Sequence, residues 1–457
     1  MILLLINNKM TSLSRQGYSI RKKEFNEKTI NEVKNELTVS VKNIMFEHMP
    51  DKKYVLYREN ENKLYLPKYY GLQKFGIPER NVIGTGEFRP NMEFIGKLRE
   101  HQIEQVSAYL ETINDPLKMG GIISIGCGGG KTVIAINIAC TLKLKTLFIS
   151  HKDFLNIQFA ERVKIFSPNS KIGIIKQSKI DIEDKDFVIG SLQSIAMKDY
   201  PQYIFNDFGL VIIDEVHHCS AEVFSNALVK TCAPNILGLS ATLHRKDGLR
   251  KVFEWFIGKC VIKPINNTTD NNVIIECITY NDDNEQYKKI ETRFNKINAV
   301  AMLSNLVKYK PRITFIVETI HKYMNNKRKL IILSERKDLL KNIYELLIKT
   351  KINYTIGYYI GGMKQEKLDE SSTKDIILAT THMAAEGLDI PQLNTLLFAS
   401  PISDIEQSIG RILRSKPEDR IITPLVIDIV DDFSIFTTRF NKRLTFYKKK
   451  NYQIKLQ

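Results

Sequence analysis

The chain has little of what would tie it to a membrane or to an oxidising compartment. No apolar run approaches the roughly 18 residues that a membrane span requires, and Ile2 to Ile6 is too short even for the core of a secretory signal. The six cysteines, Cys127, Cys140, Cys219, Cys232, Cys260 and Cys277, show no C-x-x-C spacing, a pattern that suits small buried residues in a reducing compartment. In His217-His218-Cys219 three consecutive side chains cannot easily converge on one ion, so zinc is not expected there. Glycine and proline are scarce, at 23 and 14 of 457 residues, and the chain is 43% hydrophobic against 26% charged. That balance excludes a disorder-dominated composition, and no short-period repeat is present. The expectation is a soluble, intracellular globular protein.

Acidic residues are also in deficit, 51 against 67 basic, giving a formal charge of +16. This favours a polyanionic partner, nucleic acid first, with an acidic membrane surface as the alternative. The length suggests two or three domains rather than one core. The leading MILLLINNK is detached from the polar stretch after it, which leaves Met1 and Met10 both open as starts.

What is present centres on Gly126-Cys127-Gly128-Gly129-Gly130-Lys131-Thr132. An apolar run, Gly121 to Ile125, precedes it and another, Val133 to Ala139, follows, so the stretch reads as strand, glycine loop and helix. Such a loop points backbone N–H groups inward and sets a helix N-terminus against the same anion. Lys131 would reach the β- and γ-phosphates of a nucleotide, and Thr132 would hold a magnesium ion. Ile125 stands where this motif usually opens with Gly or Ala, so the loop needs support from elsewhere.

Residues 1–95 are rich in lysine and tyrosine, with a helical period only over Asn26 to Leu37. Tyr54 to Tyr57 and Lys63 to Tyr70 alternate as short strands would. Interleaved Lys, Arg and Tyr fit base stacking and phosphate neutralisation, and equally the solvated faces of an accessory domain. Gly84-Thr85-Gly86 and Arg89-Pro90-Asn91 read as a linker. Residues 96–260 alternate strand and helix in a βα pattern, and polar groups fall where the apolar runs end, at His151, Ser191, Asp214-Glu215 and Ser240-Ala241-Thr242. Ligands of open parallel sheets sit at those carboxyl ends.

Residues 261–326 read as a connector with a helical insert, its helices at Glu285 to Lys308 and Ile313 to Met324. A second βα series fills 327–457, with strands near 329–334, 354–360, 375–380, 395–399 and 424–430 and helices over Lys337 to Lys349 and Asp404 to Ser415. The tail from Arg439 carries Lys442, Arg443, Lys448, Lys449 and Lys450 spaced by aromatics, which fits a phosphate-facing helix or a solvated one.

Asp214-Glu215 supplies the chemistry that the glycine loop lacks. Asp214 would hold magnesium through water, and Glu215 would orient and deprotonate the attacking water. Gln407, Arg411 and Arg414 share one face of the expected helix by i, i+4 and i+3 spacing. Arginines on a second domain suit a γ-phosphate whose charge spreads in the transition state.

In order, these motifs resemble the superfamily 2 helicases over about residues 97 to 432. Leu98-Arg99-Glu100-His101-Gln102 looks like the adenine-recognising segment, so Arg99 and Gln102 are candidate nucleotide contacts beside Gly128, Gly129, Gly130, Lys131 and Thr132. Asp214-Glu215-Val216-His217 resembles a DExH motif II and Ser240-Ala241-Thr242 motif III, while Ala385-Glu386-Gly387-Leu388-Asp389 lies in motif V and Gln407 to Arg414 is motif VI. The glycine loop is similar to the P-C-G-A-G-K-S loop of XPB-type helicases, where a larger apolar residue also stands at the position of Ile125. Arg245-Lys246-Asp247 looks like their Arg-Glu-Asp signature with Lys in place of Glu. Ile149 to Leu155, Asp247-Gly248-Leu249 and Gly361-Gly362-Met363 are similar to helicases of large DNA viruses, including the poxvirus transcript-release type, and their phage relatives.

The resemblance implies an α/β fold of two tandem RecA-like parallel-sheet lobes, with ATP and Mg2+ between them, an N-terminal accessory domain and a helical insert between the lobes. It assigns catalysis to Lys131, Glu215, Gln407, Arg411 and Arg414, nucleotide contacts also to Gly387 and Asp389, and coupling to His217, Ser240 and Thr242. His151, Ser191, Arg245, Asp247 and Thr380 become candidate nucleic-acid contacts, sequence-independent and salt-sensitive. The expected activity is an ATP-dependent DNA helicase or duplex translocase moving 3′ to 5′ in transcription or repair, with transcription-machinery partners and, for a viral source, a place in host cytoplasm, nucleus or virion. An RNA helicase is the first alternative, and a non-catalytic nucleic-acid-binding assembly factor the second.

Overall fold

A computed structural model describes residues 10–41, 52–126, 129–215, 221–241, 250–262, 272–293, 296–388, 390–403, 405–413, 415 and 419–457. It divides into two compact units, residues 1–265 and 266–457.

The first unit opens with β1 (Thr11–Ser14), β2 (Gly17–Arg21), α1 (Glu27–Glu36), β3 (Thr38–Val41), β4 (Lys52–Val55), β5 (Arg58–Glu59), β6 (Lys63–Leu66), α2 (Lys68–Phe75) and β7 (Arg80–Asn81). It continues with α3 (Glu100–Ile113), β8 (Gly120–Ser124), α4 (Lys131–Leu142), β9 (Thr146–Ser150), α5 (Asp153–Phe166), β10 (Ile172–Lys176), β11 (Lys179–Asp181) and β12 (Phe187–Ser191). Then follow α6 (Leu192–Met197), β13 (Leu210–Ile213), α7 (Ala221–Lys230), β14 (Asn235–Ser240) and α8 (Arg250–Ile257).

The large sheet runs β11-β10-β12-β9-β13-β14-β8. Every neighbouring pair is parallel except β10 with β11. Every residue of β8, β9 and β13 is buried, as expected for strands covered on both faces by crossover helices. Because α4 carries the chain from β8 across β14 and β13 to β9, the loop after β8 and the end of β13 open on the same edge.

The N-terminal segment forms a second sheet, β5-β6-β2-β1-β7. Its Leu13, Tyr18, Leu64, Leu66 and Phe75 share one apolar core with Leu147, Val211 and Phe256 of the large sheet and its helices. The tie is also polar: the buried Lys68 ammonium donates to the carbonyls of Ala233 and Pro234 at 3.2 and 2.5 Å. The alternation expected through Tyr70 stops at Leu66, because Pro67 ends the strand and precedes α2, whose first turn does not need its missing N–H.

The second unit holds β15 (Ile274–Tyr280), β16 (Thr292–Arg293), β17 (Lys296–Ile297), α9 (Ala299–Lys308), α10 (Lys310–Tyr323), β18 (Leu330–Ser334), α11 (Lys337–Lys349), β19 (Ile356–Tyr359) and α12 (Gln365–Ser372). After these come β20 (Ile376–Thr380), α13 (Thr381–Gly387), β21 (Thr395–Phe398), α14 (Glu406–Ile409), β22 (Leu425–Asp431), α15 (Ser434–Lys449) and β23 (Gln453–Leu456). Its sheet, β19-β20-β18-β21-β22-β15-β23, is parallel throughout. Two parallel, helix-covered sheets are the layers expected of RecA-like lobes.

The stretch read as a connector contributes directly to this unit. β15 lies between β22 and β23 in the sheet, and Met302, Leu306, Ile313, Ile316 and Ile320 of α9 and α10 share a core with Ile332 and Leu340. The helix expected from Glu285 begins only at Ala299, where the Asn298 side chain caps it by accepting from the Ala301 N–H. Pro311 in its first turn sets α10 off from α9. In the basic tail Lys442, Lys448 and Lys449 are exposed, whereas Arg443 turns inward to a carboxylate and cannot belong to a phosphate-facing row.

Candidate active site

Strand ends build the site. β8, β9, β12 and β14 close on Ser124, Ser150, Ser191 and Ser240, and the pairing sets Ser124 beside Ser240 and Ser150 beside Ser191. Between these two pairs of strands, β13 ends in Asp214-Glu215. The N–H of Ile125 donates to the Ser240 carbonyl at 3.1 Å, tying the start of the glycine loop to the motif III strand.

The loop closes tightly. The Gly129 N–H donates to the Gly126 carbonyl at 3.1 Å, and Gly130 takes a left-handed φ of 81° as the residue before α4. A Cβ at Gly129 would lie 2.0 Å from Ile125 Cγ2, and one at Gly130 2.2 Å from Gln102 Nε2. Both positions therefore require glycine. The residue before α4 is Gly130, which has no side chain to cap the helix, and a helix N-terminus of this kind, with Lys131 and Thr132 as its first two residues, suits an anion.

Lys131 Nζ lies 2.6 Å from Glu215 Oε1, with both side chains mostly buried. Glu215 has a left-handed φ of 49°, an uncommon conformation for a residue with a Cβ. Asp214 is 8% exposed and accepts from the Glu215 N–H at 2.9 Å. Burial, and then the neighbouring Glu215 charge, push the Asp214 carboxyl up to about 7 despite the opposing pull of Lys131. Two carboxylates facing one ammonium fit a hard divalent cation, which would relieve this repulsion. Among the described residues no three His, Cys, Asp or Glu side chains form a metal cluster, so an ion held by Asp214 and Thr132 would take further ligands from phosphate and water. The donor set thus fits Mg2+ with a nucleoside triphosphate.

The segment expected to recognise adenine braces the loop. Gln102 is buried, with Oε1 accepting from the Arg99 N–H at 2.9 Å and Nε2 donating to the Gly129 carbonyl at 3.1 Å. His101 Nε2 lies 3.2 Å from the same carbonyl, a contact that sequence reasoning missed. Arg99 is exposed before α3. His151 and Ser191 follow or end β9 and β12, both half-buried. The serines of β8 and β9 were also missed, although an apolar run ending in Ser is a readable signal that recurs at Ser334.

The second unit carries the remaining candidates. Thr380 ends β20, Gly387 ends α13, and Gln407 lies half-buried on α14. The helix expected over Asp404 to Ser415 is much shorter, four residues, and i→i+3 bonds from the Arg411 and Ile412 N–H groups tighten the chain after it. Gln407 and Arg411 therefore do not share one α-helical face. Arg411 is 8% exposed and donates through Nη1 to the Leu388 carbonyl at 2.9 Å, which links motif VI to motif V within the unit. Gly128, His217, Thr242, Arg245, Asp247, Asp389 and Arg414 lie outside the described residues.

Comparison with known proteins follows this layout. The family "Type III restriction enzyme, res subunit" matches residues 95–245, and "Helicase conserved C-terminal domain" matches residues 312–416. The candidate ATP-dependent RNA helicase L396 of Acanthamoeba polyphaga mimivirus is 36% identical over 457 residues, covering 98% of this chain and 87% of that protein. The candidate helicase D10 of Escherichia phage T5 is 29% identical, covering 71% of each chain. The candidate ATP-dependent RNA helicase QP509L of African swine fever virus is 27% identical over 73% of this chain and 69% of its own. With both helicase regions matched in chain order and a near full-length relative, the chain belongs to the superfamily 2 helicases and is an ATP-hydrolysing enzyme.

Proposed function

We propose that this enzyme couples ATP hydrolysis to movement along nucleic acid, with DNA as the favoured track and 3′ to 5′ as the direction, in transcription or repair. The observation that carries the ATP half is the 2.6 Å contact of Lys131 with Glu215 beside the buried Asp214. Lys131 and the first N–H groups of α4 bind the β- and γ-phosphates, leaving Glu215 to take the proton of the attacking water. A bound Mg2+, held by Thr132 and Asp214, would neutralise developing phosphate charge. Gln407, Arg411 and Arg414 are the proposed catalytic partners of the γ-phosphate, and Gly387 and Asp389 are proposed nucleotide contacts. Ser240, through its carbonyl bond to Ile125, couples the phosphate loop to the strand ends that hold nucleic acid, together with Thr242 and His217. His151, Ser191, Thr380, Arg245 and Asp247 are the proposed nucleic-acid contacts. The XPB-like and DExH reading rests on the Gly126–Thr132 loop, Asp214 to His217 and Arg245-Lys246-Asp247.

RNA is the second reading, because the names of the mimivirus and African swine fever virus relatives specify RNA. Unwinding assays on 3′-tailed, 5′-tailed and forked DNA, and on the matching RNA duplexes, decide between them. Displacement of 3′-tailed DNA with little on RNA supports the proposal. RNA-only displacement overturns the DNA preference, and opening from 5′ tails alone overturns the direction. Arg411→Ala should retain ATP binding and lose turnover; normal turnover would remove its assigned role.

A further inference from the structure

The chain between β21 and motif VI is held by side chains from outside it. Ala399, Ser400, Pro401 and Ile402 follow β21 directly, and Gln407 lies only five residues beyond Ile402. Three arginines from two different helices converge on this segment. Arg312 Nη1 donates to the Ala399 carbonyl at 2.9 Å, Arg439 Nη1 to that of Pro401 at 2.8 Å, and Arg443 Nη1 to that of Ile402 at 2.5 Å. The remaining carbonyl, of Ser400, accepts from the Ile402 N–H at 2.8 Å, and Ser400 Oγ accepts from the Glu335 N–H at 3.0 Å.

Each guanidinium is itself fixed by a carboxylate. Arg312 binds Asp431 through Nε and Nη2 at 2.6 and 2.7 Å, and the Tyr287 hydroxyl donates to the same carboxylate at 2.9 Å. Arg443 Nε binds Asp428 Oδ2 at 2.8 Å, where the Tyr447 hydroxyl also donates at 2.9 Å. Both pairs are completely buried. Arg439 pairs with Glu335 at 3.1 Å and is partly exposed. Asp428 and Asp431 belong to β22, which neighbours β21, with Asp428 directly opposite Phe398. The strand next to the segment therefore aims two of the three arginines, Arg312 and Arg443, back at it.

Buried ion pairs contribute little stability over apolar side chains of equal volume, so stability alone is a poor account of two of them. Forked guanidiniums, once fixed by a carboxylate, place their remaining N–H groups with little freedom. We infer that Arg312, Arg439 and Arg443 are positioning residues for ATP hydrolysis, clamping the Ala399–Ile402 segment and so setting where Gln407 and Arg411 act. The inference rests on the proposal that Gln407 and Arg411 serve the γ-phosphate.

Arg439 is the position to test, since Arg312 and Arg443 lie in the core and their loss would unsettle the fold. Arg439→Ala, Arg439→Lys, Arg411→Ala and the Arg411→Ala/Arg439→Ala double variant are compared in nucleic-acid-stimulated ATP turnover and thermal unfolding. Arg439→Ala is expected to lower kcat about 10-fold, with the KM for ATP within about twofold and the unfolding midpoint near that of the wild type. Arg439→Lys, which keeps a donor for the Pro401 carbonyl, should recover most of the loss, and the double variant should be no slower than Arg411→Ala alone. Wild-type kcat in Arg439→Ala beside a collapsed Arg411→Ala overturns the clamp and leaves the role of Arg411 standing. A multiplicative loss in the double variant, or failure of lysine to rescue, also overturns it. Normal turnover in Arg411→Ala instead removes the reading on which the clamp depends.

Discussion

Replacing Glu215 with glutamine should tighten ATP binding while removing turnover, a combination that few substitutions in a nucleotide site produce. Lys131 and Glu215 are 2.6 Å apart with side chains 12% and 16% exposed, so the ammonium must give up a charge-assisted bond before it can serve a phosphate. A partly buried bond of this kind contributes about 1–2 kcal/mol after discounting for solvent. Glutamine keeps a neutral acceptor but not the charge, so loss of about 1 kcal/mol of this contribution should lower the dissociation constant for ATP by about 5-fold. Loss of the Glu215 charge also lets the Asp214 carboxyl fall from about 7, leaving it more fully ionised at neutral pH and better able to hold a cation. Glutamine cannot take a proton, so turnover should fall by about 10² to 10⁴.

Calorimetric titration with a non-hydrolysable ATP analogue and Mg2+ reads the first effect, and phosphate release in the presence of nucleic acid reads the second. Lys131→Ala is the counterpart, with weak binding and no turnover on an intact fold. ATP affinity unchanged or weakened in Glu215→Gln would refute the competition between Glu215 and phosphate for Lys131. Wild-type turnover would refute the assignment of Glu215 as the base.

Three further outcomes follow from the geometry. Gly130→Ala forces a Cβ into a left-handed position 2.2 Å from Gln102 Nε2, at a cost of about 1–2 kcal/mol from the backbone alone; ATP affinity measured by calorimetry should fall about 10-fold or more, and an unchanged value would contradict the loop geometry. Arg312→Ala strands the buried Asp431 carboxylate and should reduce the unfolding free energy by about 3–5 kcal/mol in urea titrations, whereas a loss below about 1 kcal/mol would mean the pair is not buried as described. Burial lowers the Lys68 ammonium from 10.5 to about 8, so the unfolded chain binds the extra proton between those values and stability rises with pH across that window. Relative to Lys68→Met, the wild type should therefore gain about 2 kcal/mol between pH 7.5 and 9.5 in urea unfolding, and parallel curves would refute the shift.

The glycine loop and Asp214-Glu215 were legible as a candidate site because the residues such a site needs are local in sequence. Glycines, a lysine and two carboxylates must stand next to one another and after an apolar run, whatever the rest of the chain does. The parallel sheets were legible for a similar reason, since each buried strand is a short apolar run followed by a helical period. What escaped was set by partners far away in sequence. Nothing near Arg443 distinguishes it from Lys442, and its inward turn is decided by Asp428 on a neighbouring strand. β15 reads as part of an asparagine-rich connector because its partner, β22, comes about 150 residues later. Gln102 was expected to contact a nucleotide, whereas its amide here closes a capping box and braces Gly129, a use that depends on a loop 27 residues away. The motif VI helix was overextended because Gln407, Arg411 and Arg414 have helical spacing, which says nothing about the tightened turns from Ser408 to Ile412.

The charge balance gains meaning once burial is known. Among the described residues the buried cations are Lys68, Lys145, Arg312, Arg411 and Arg443, and the buried carboxylates are Asp186, Asp214, Glu276, Asp428 and Asp431. The two sets are equal in number, so the formal charges of the described interior cancel and the formal surplus of +16 lies outside it. A basic tail alone would have been a weak argument, because one of its arginines is spent inside the second unit holding the approach to motif VI. A basic surface left over after the core has balanced its own charges is a stronger one. It offers attraction to a phosphate backbone without base-specific fixed points, and its strength should fall with salt. The movement along nucleic acid proposed above requires binding that can be released phosphate by phosphate, whereas the firmly fixed contacts of this chain lie at Gly129 and at Ala399 to Ile402.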